Sequence, residues 1–263
     1  MTTVTHREKT LDVRGYAVPM KTGGAGQPLL LLHGAGRGEF WGEAHEALAR
    51  SFAVYAPVHP GFAGTPLPDW VQGVDDVALH YVDLIRILDM KRPLVVGISI
   101  GGWIATELAV RRPDLLGALV LVDAIGVRPE QPLPDLFIME PVEAMSYLFA
   151  DPAKALALAP SAPDPDFIIR MWEEQATAAR LMWKRPYDPK LRRRLHHITV
   201  PTLVVWGEQD RLIPPSHGRM LAEEIPNAQF QIIQGAGHVV SVEEPEALAS
   251  AIRDFAATLS LGG

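Results

Sequence analysis

Six short, mostly apolar runs, at 28–32, 52–57, 93–97, 116–122, 201–206 and 229–233, are spaced along this chain of 263 residues. A strand with no polar side must be covered on both faces, so such runs alternating with helices predict a mostly parallel sheet flanked by helices. Helices are expected at 41–50, 75–90, 101–112, 215–224 and 244–259. In 75–90, apolar residues at 77, 78, 81, 82, 84, 85 and 88 draw one helical stripe behind Asp75 and Asp76, which suit a helix start. The opening, 4–20, reads as two strands around a turn at Gly15.

The alternation stops between 127 and 197. That stretch is rich in proline and holds helical patterns at 141–149 and 166–183, without a convincing strand. It is too long for a plain connection, which in compact domains is about 4–6 residues. The expected organisation is therefore a core domain of 1–126 and 198–263, with 127–197 inserted as a helical cap subdomain where it can cover the C-terminal edge of the sheet.

Composition removes several functions. A net charge of −7 argues against binding nucleic acid, whose partners usually carry a basic face. The basic run from Lys190 to Arg194, followed by His196 and His197, reads as a solvated helix surface. With no cysteine, disulfides, thiolate catalysis and cysteine-based metal sites are excluded. The N-terminal stretch lacks the apolar segment of a secretory signal, and no apolar run is long enough to span a bilayer, so a cytoplasmic chain without membrane contact is expected.

Gly97, Ile98, Ser99, Ile100 and Gly101 form a G-x-S-x-G pentapeptide between an expected strand and an expected helix. A strand that turns at once into a helix forces its central residue into a strained backbone conformation, and the small flanking residues let the two elements approach. The hydroxyl then projects above the sheet, at the positive end of the following helix.

A serine hydroxyl needs a base. His238, in the Gly235, Ala236, Gly237, His238 run just after the apolar run 229–233, lies where an α/β protein gathers its chemistry. The other histidines read differently. His33 precedes a glycine-rich loop and is expected to brace it, as is His59 beside Pro60 and Gly61. His6, His45, His80 and His217 fall in surface or helical contexts. The carboxylate that holds a catalytic imidazole is expected to be Asp210, after the run 201–206, with Asp123 at the end of 116–122 as its rival; Glu208 fits less well.

These stretches resemble the α/β-hydrolase fold family over nearly the whole chain. The resemblance is carried by Leu31 to Gly36, the turn from His59 to Gly64, Gly97 to Gly102, Pro201 to Asp210 with Ile213 and Pro214, Gly235 to His238, and Glu243 to Pro245. It departs from the commoner family pattern at His59 and Thr65, where an acidic residue and a serine often stand. It implies a Ser-His-Asp triad in the chain order Ser99, Asp210, His238, and an oxyanion hole of two backbone amides, Ile100 and Ala35, with Gly36 as the fallback for Ala35. Relatives that displace halides or open epoxides use an aspartate nucleophile, so Ser99 points away from those reactions.

The inserted segment carries Phe137, Met139, Met145, Tyr147, Phe149, Phe167, Met171, Trp172, Met182 and Trp183. Most must pack the helices together, but a cap over the serine brings some to an apolar pocket. The expected wall is Phe40, Trp103, Met139, Met145, Phe149 and Trp183. No pair of basic residues stands out as a carboxylate clamp. The expected function is an esterase-like acyl transfer on a small to medium hydrophobic ester, a small-molecule substrate, with no metal and no organic cofactor. The same residues also suit hydrolysis of a carbon–carbon bond, a lactone or an amide, perhydrolysis, and lyase chemistry on cyanohydrins; a small-ligand sensor is the alternative outside catalysis. Oligomeric state is not legible in the sequence.

Overall fold

In the computed structural model, which describes residues 5–36, 38, 40–158 and 164–259, the apolar runs pair side by side. β1 (Arg7–Val13) and β2 (Tyr16–Gly23) form an antiparallel hairpin at one edge. β3 (Pro28–Leu32), α1 (Glu43–Ala49), β4 (Ala53–Pro57), α2 (Val74–Ile87), β5 (Leu94–Ile98), α3 (Ile100–Arg111) and β6 (Ala118–Val122) follow as alternating strands and helices. Further along come β9 (Thr202–Gly207), α7 (Pro215–Glu224), β10 (Ala228–Ile233), α8 (Val240–Glu243) and α9 (Pro245–Thr258). The eight-stranded sheet has the order β1-β2-β4-β3-β5-β6-β9-β10, and every pair from β4 to β10 is parallel.

Alternation along each central strand explains why those runs are apolar throughout. Leu30 and Leu32 of β3, Val95 of β5 and Leu119 and Leu121 of β6 face one layer, with α2, α3 and α7. Leu29, Leu31, Leu94, Val96, Val120 and Val122 face the other, with α1, α8 and α9. Both layers exclude water over the central strands, which leave neither register to polar residues, whereas the edge strand β10 exposes Gln229 and Gln231.

The strand order reverses at β3. The chain passes from β3 to β4 on one side, then crosses to place β5 on the other. Loops at the carboxyl ends of β3 and β5 diverge there and leave a crevice, the usual ligand position of an open parallel sheet.

Between β6 and β9 the chain forms β7 (Gly126–Val127), α4 (Pro141–Leu148), α5 (Pro152–Leu158), α6 (Pro165–Leu181) and β8 (Tyr187–Asp188). The sequence contains no strand signal here, yet β7 and β8 pair in parallel at the base of the segment. A two-residue strand is shorter than one repeat of any apolar alternation, so it leaves no pattern to read. Ala178 and Leu181 of α6 join the core layer of α2 and α3. The basic run becomes a 3-10 helix at Arg192–His197 that buries Leu195 and pairs Arg192 with Glu224. No helix among the described residues is long and apolar enough to cross a membrane.

Candidate active site

Ser99 closes the tight turn from β5 into α3 with φ 52° and ψ −115°, a left-handed conformation that costs a non-glycine residue about 1–3 kcal/mol. The surrounding hydrogen bonds impose it. The Ser99 amide donates to the Val122 carbonyl at 2.9 Å, and the Ser99 carbonyl accepts from Gly102 and Trp103 at 2.9 and 3.2 Å. Close approach requires glycine on both sides. A Cβ on Gly97 would lie 2.7 Å from the Gly102 Cα, and one on Gly101 would lie 2.6 Å from the His33 carbonyl oxygen.

The loop after β10 carries His238, and the loop after β9 carries Asp210; both are buried. His238 Nδ1 lies 2.9 Å from Asp210 Oδ2, and His238 Nε2 lies 2.9 Å from Ser99 Oγ. A carboxylate only accepts, so the proton between His238 and Asp210 belongs to Nδ1, and Nε2 is left to accept the serine proton. The other Asp210 oxygen takes the Leu212 and Ile213 amides at 2.9 and 2.8 Å, which fixes the carboxylate plane.

Asp123 does not reach the imidazole in this arrangement. Its Oδ1 accepts the Gly207 amide at 2.8 Å, and Oδ2 has no partner. Burial first, and then the Asp210 charge, push the Asp123 carboxyl well above the usual carboxylate range. Glu208 is exposed and turns to the Gly235 amide.

The loop after β3 is held by histidines that carry no charge. The His59 amide donates to His33 Nε2 at 3.0 Å, so the His33 proton sits on Nδ1, which donates to the Gly34 carbonyl at 2.8 Å. His59 in turn meets the His33 carbonyl through Nε2 and the Tyr81 hydroxyl through Nδ1, at 2.9 and 2.5 Å. Burial lowers His33 to about 4 and His59 well below its ordinary value. The Gly34 carbonyl and the Ala35 amide belong to one planar peptide unit, so the His33 bond also sets where the Ala35 N–H points.

A cavity of about 1680 Å³ opens in front of Ser99 and is walled mainly by apolar side chains from the core and from 128–187. Of the expected wall, Phe40, Met145, Phe149 and Trp183 line it. Trp103 does not: it is buried, with its ring over Gly126, where a Cβ would come within 2.5 Å of Trp103 Cδ1. One helical turn beyond Ser99, the side chain already points to the flank of the sheet. Met139 is half-buried and also stands off the wall, which Leu136 and Phe137 supply instead. The chain turns at 136–138, so helical spacing does not carry from one side chain to the next there. The Phe167 side chain lies outside the described residues. Arg128 and Arg185, which no spacing had paired, both line the cavity and are exposed.

Two buried glutamates were missed as site residues. Glu243 accepts the Gly237 amide at 2.7 Å, and the Ala150 and Asp151 amides at 3.0 Å each, joining the histidine loop to the chain just after α4. Glu174, on α6, accepts the amides of Gly36 and Ala63. One signal was available: Glu174 stands in register with Ala178 and Leu181, so the buried face of α6 has a carboxylate at one turn.

The matches to known proteins agree with this architecture. A model of the alpha/beta hydrolase family matches residues 29–251. The chain is 28% identical over 270 residues to a 2-hydroxy-6-oxo-6-(2'-aminophenyl)hexa-2,4-dienoic acid hydrolase of Metapseudomonas resinovorans, covering 94% of this chain and 90% of that protein. It is also 28% identical over 260 residues to a putative carbamate hydrolase of Pseudomonas syringae, covering 89% and 95%. The crystal structure of a membrane phospholipase A superposes with a TM-score of 0.82 at 23% identity, covering 97% of this chain and 86% of that one, a likeness of fold alone. From the parallel sheet, the turn at Ser99 and a family match spanning most of its length, the chain belongs to the alpha/beta hydrolase family.

Proposed function

We propose that the chain is a serine hydrolase that cleaves a hydrophobic ester by acyl transfer, with Ser99 as nucleophile, His238 as general base and acid, and Asp210 as the carboxylate that orients the imidazole. The observation that carries this reading is the unbroken hydrogen-bond chain from Asp210 through His238 to the Ser99 hydroxyl, with 2.9 Å at each step. Ser99 Oγ attacks the carbonyl carbon as its proton passes to His238 Nε2. The oxyanion is received by the Ile100 and Ala35 amides, at about 3–4 kcal/mol for a well-placed donor. His238 then returns the proton to the leaving alcohol as the carbon–oxygen bond breaks. Water, deprotonated by the same imidazole, releases the acid.

In this reading 127–197 is a cap closing over the core formed by 1–126 and 198–263. The cavity is larger than the 300–1,000 Å³ or so of ordinary small-molecule sites. At about 1680 Å³ it favours a bulkier apolar substrate than the small to medium ester expected from the sequence.

A second reading has a specific observation behind it. Arg128 and Arg185, which line the cavity, are suited to an anionic substrate, and one relative is a hydrolase of a dienoic acid. The same triad would then break a carbon–carbon bond. A panel of p-nitrophenyl esters and ring-cleavage dienoic acids, run on the wild type and on Ser99→Ala, separates the two. Ester turnover lost in the variant, with Ser99 labelled by a fluorophosphonate, is the expected result. Turnover of the dienoic acids alone would replace the ester reading with the second one.

A further inference from the structure

We propose that Glu174 is a positioning residue for the reaction at Ser99, fixing from the inserted helix α6 the loop that presents the Ala35 amide. The inference rests on the ester-hydrolase reading and names a residue that the triad does not include.

Ala35 lies between two peptide units. The first, joining Gly34 to Ala35, is held from the core side, because the Gly34 carbonyl accepts His33 Nδ1 at 2.8 Å. The second, joining Ala35 to Gly36, is held from the other side, because the Gly36 amide donates to Glu174 Oε2. With both planes pinned, neither flanking dihedral of Ala35 is free to swing its N–H away from the developing oxyanion. Gly36 has φ +75°, a region open to glycine without strain, so without a partner its own peptide plane is among the softest in the loop.

The same contact decides between the two candidate donors. The Gly36 amide is already committed to a carboxylate, an acceptor stronger than a neutral oxygen, which leaves Ala35 as the second oxyanion donor. Glu174 is only 7% exposed and borders the cavity, so its bonds are little diluted by water. Its second oxygen accepts the Ala63 amide at 3.0 Å, and one turn along α6 the Thr177 hydroxyl donates to the Gly61 carbonyl at 2.6 Å. Glu174 therefore ties α6 to two core loops, whereas Thr177 ties it only to the turn at Gly61. Seating α6 and shaping the oxyanion loop are one event through Glu174 and separate events through Thr177.

That difference supplies the test. Glu174→Ala, Glu174→Gln and Thr177→Val are compared with the wild type by kcat and KM on a p-nitrophenyl ester, and by amide hydrogen exchange across 33–38. Glu174→Ala is expected to lower kcat about 10- to 100-fold with KM within about twofold, since a loosened oxyanion donor weakens the transition state more than the bound substrate. Exchange in the loop should rise about tenfold or more. Glu174→Gln keeps one acceptor and should recover part of kcat, while Thr177→Val should leave both readouts near wild type. Unchanged loop exchange in Glu174→Ala, or an unchanged kcat, overturns the proposal. So does an equal loss in Thr177→Val, which would make Glu174 one docking contact among several. Failure of the ester reading is visible separately, as a wild type inert to esters and to fluorophosphonate; it removes the catalytic consequence, and loop exchange still decides whether Glu174 holds the loop.

Discussion

His33 and His59 stack with their ring centroids 3.8 Å apart, buried behind the loop that carries Ala35. His33 Nε2 accepts the His59 amide and so needs an unprotonated ring, and desolvation is the first cause that lowers both histidines. His80 and His217 are also buried and held to about 4, again chiefly by desolvation.

These depressed values fix a sign. An unfolded histidine titrates near 6.5, so between about pH 6.5 and 4 the unfolded chain binds protons that the folded chain refuses. Stability from these groups is complete above about 6.5 and is lost as pH falls toward 4. The melting temperature should be flat from pH 8 to 7 and drop by roughly 10 °C or more by pH 5. Both His217 ring nitrogens lack partners, so His217→Leu should flatten that slope without harm at pH 7. A wild-type melting temperature independent of pH from 7 to 5 would count against the neutral assignment.

The two carboxylates near the imidazole should separate sharply. Asp210→Asn removes the acceptor that holds the Nδ1 proton and should lower kcat by about 10³–10⁴. Asp123→Asn keeps an oxygen that accepts from Gly207 and removes no bond to His238, and should keep kcat within about threefold. Steady-state kinetics on one ester decides it; equal losses would mean that Asp123 takes part in holding His238.

Glu243 satisfies three backbone amides on two different parts of the chain. Glu243→Ala leaves the buried Gly237 amide without an acceptor, at about 1–3 kcal/mol, and frees the more exposed Ala150 and Asp151 amides to water at smaller cost. Thermal unfolding should fall by roughly 5–10 °C. Glu244→Ala loses only a half-exposed pair with Lys154 and should shift it little. Similar melting temperatures for the two variants would refute the role given to Glu243.

Much of the fold was legible because the sheet is covered twice. A strand buried on both faces is written as an unbroken apolar run, and Leu29 to Leu32 or Ala118 to Val122 need no partner to be recognised. The convergence of Ser99, Asp210 and His238 was legible for a related reason: Ser99 and Asp210 follow such runs, His238 follows the edge strand β10, and short loops at the ends of parallel strands converge. The pocket wall was less so. Phe40, Met145, Phe149 and Trp183 reach the cavity, but Trp103 and Met139 do not, since which way a side chain faces depends on the neighbouring element and not on its distance along the chain.

The sequence by itself determined the parallel sheet, the strained turn at Ser99 and the chain order of serine, aspartate and histidine. Those features are local, set by apolar periodicity and by the small residues a tight turn demands. Tertiary structure alone decided that His238 meets Asp210 rather than Asp123, and that Glu174 and Glu243 point inward to backbone amides. A glutamate on an amphipathic helix reads the same whether water or a peptide N–H completes its hydrogen bonds. Only packing between segments far apart in the chain supplies that partner, and with it the reason to bury a charge.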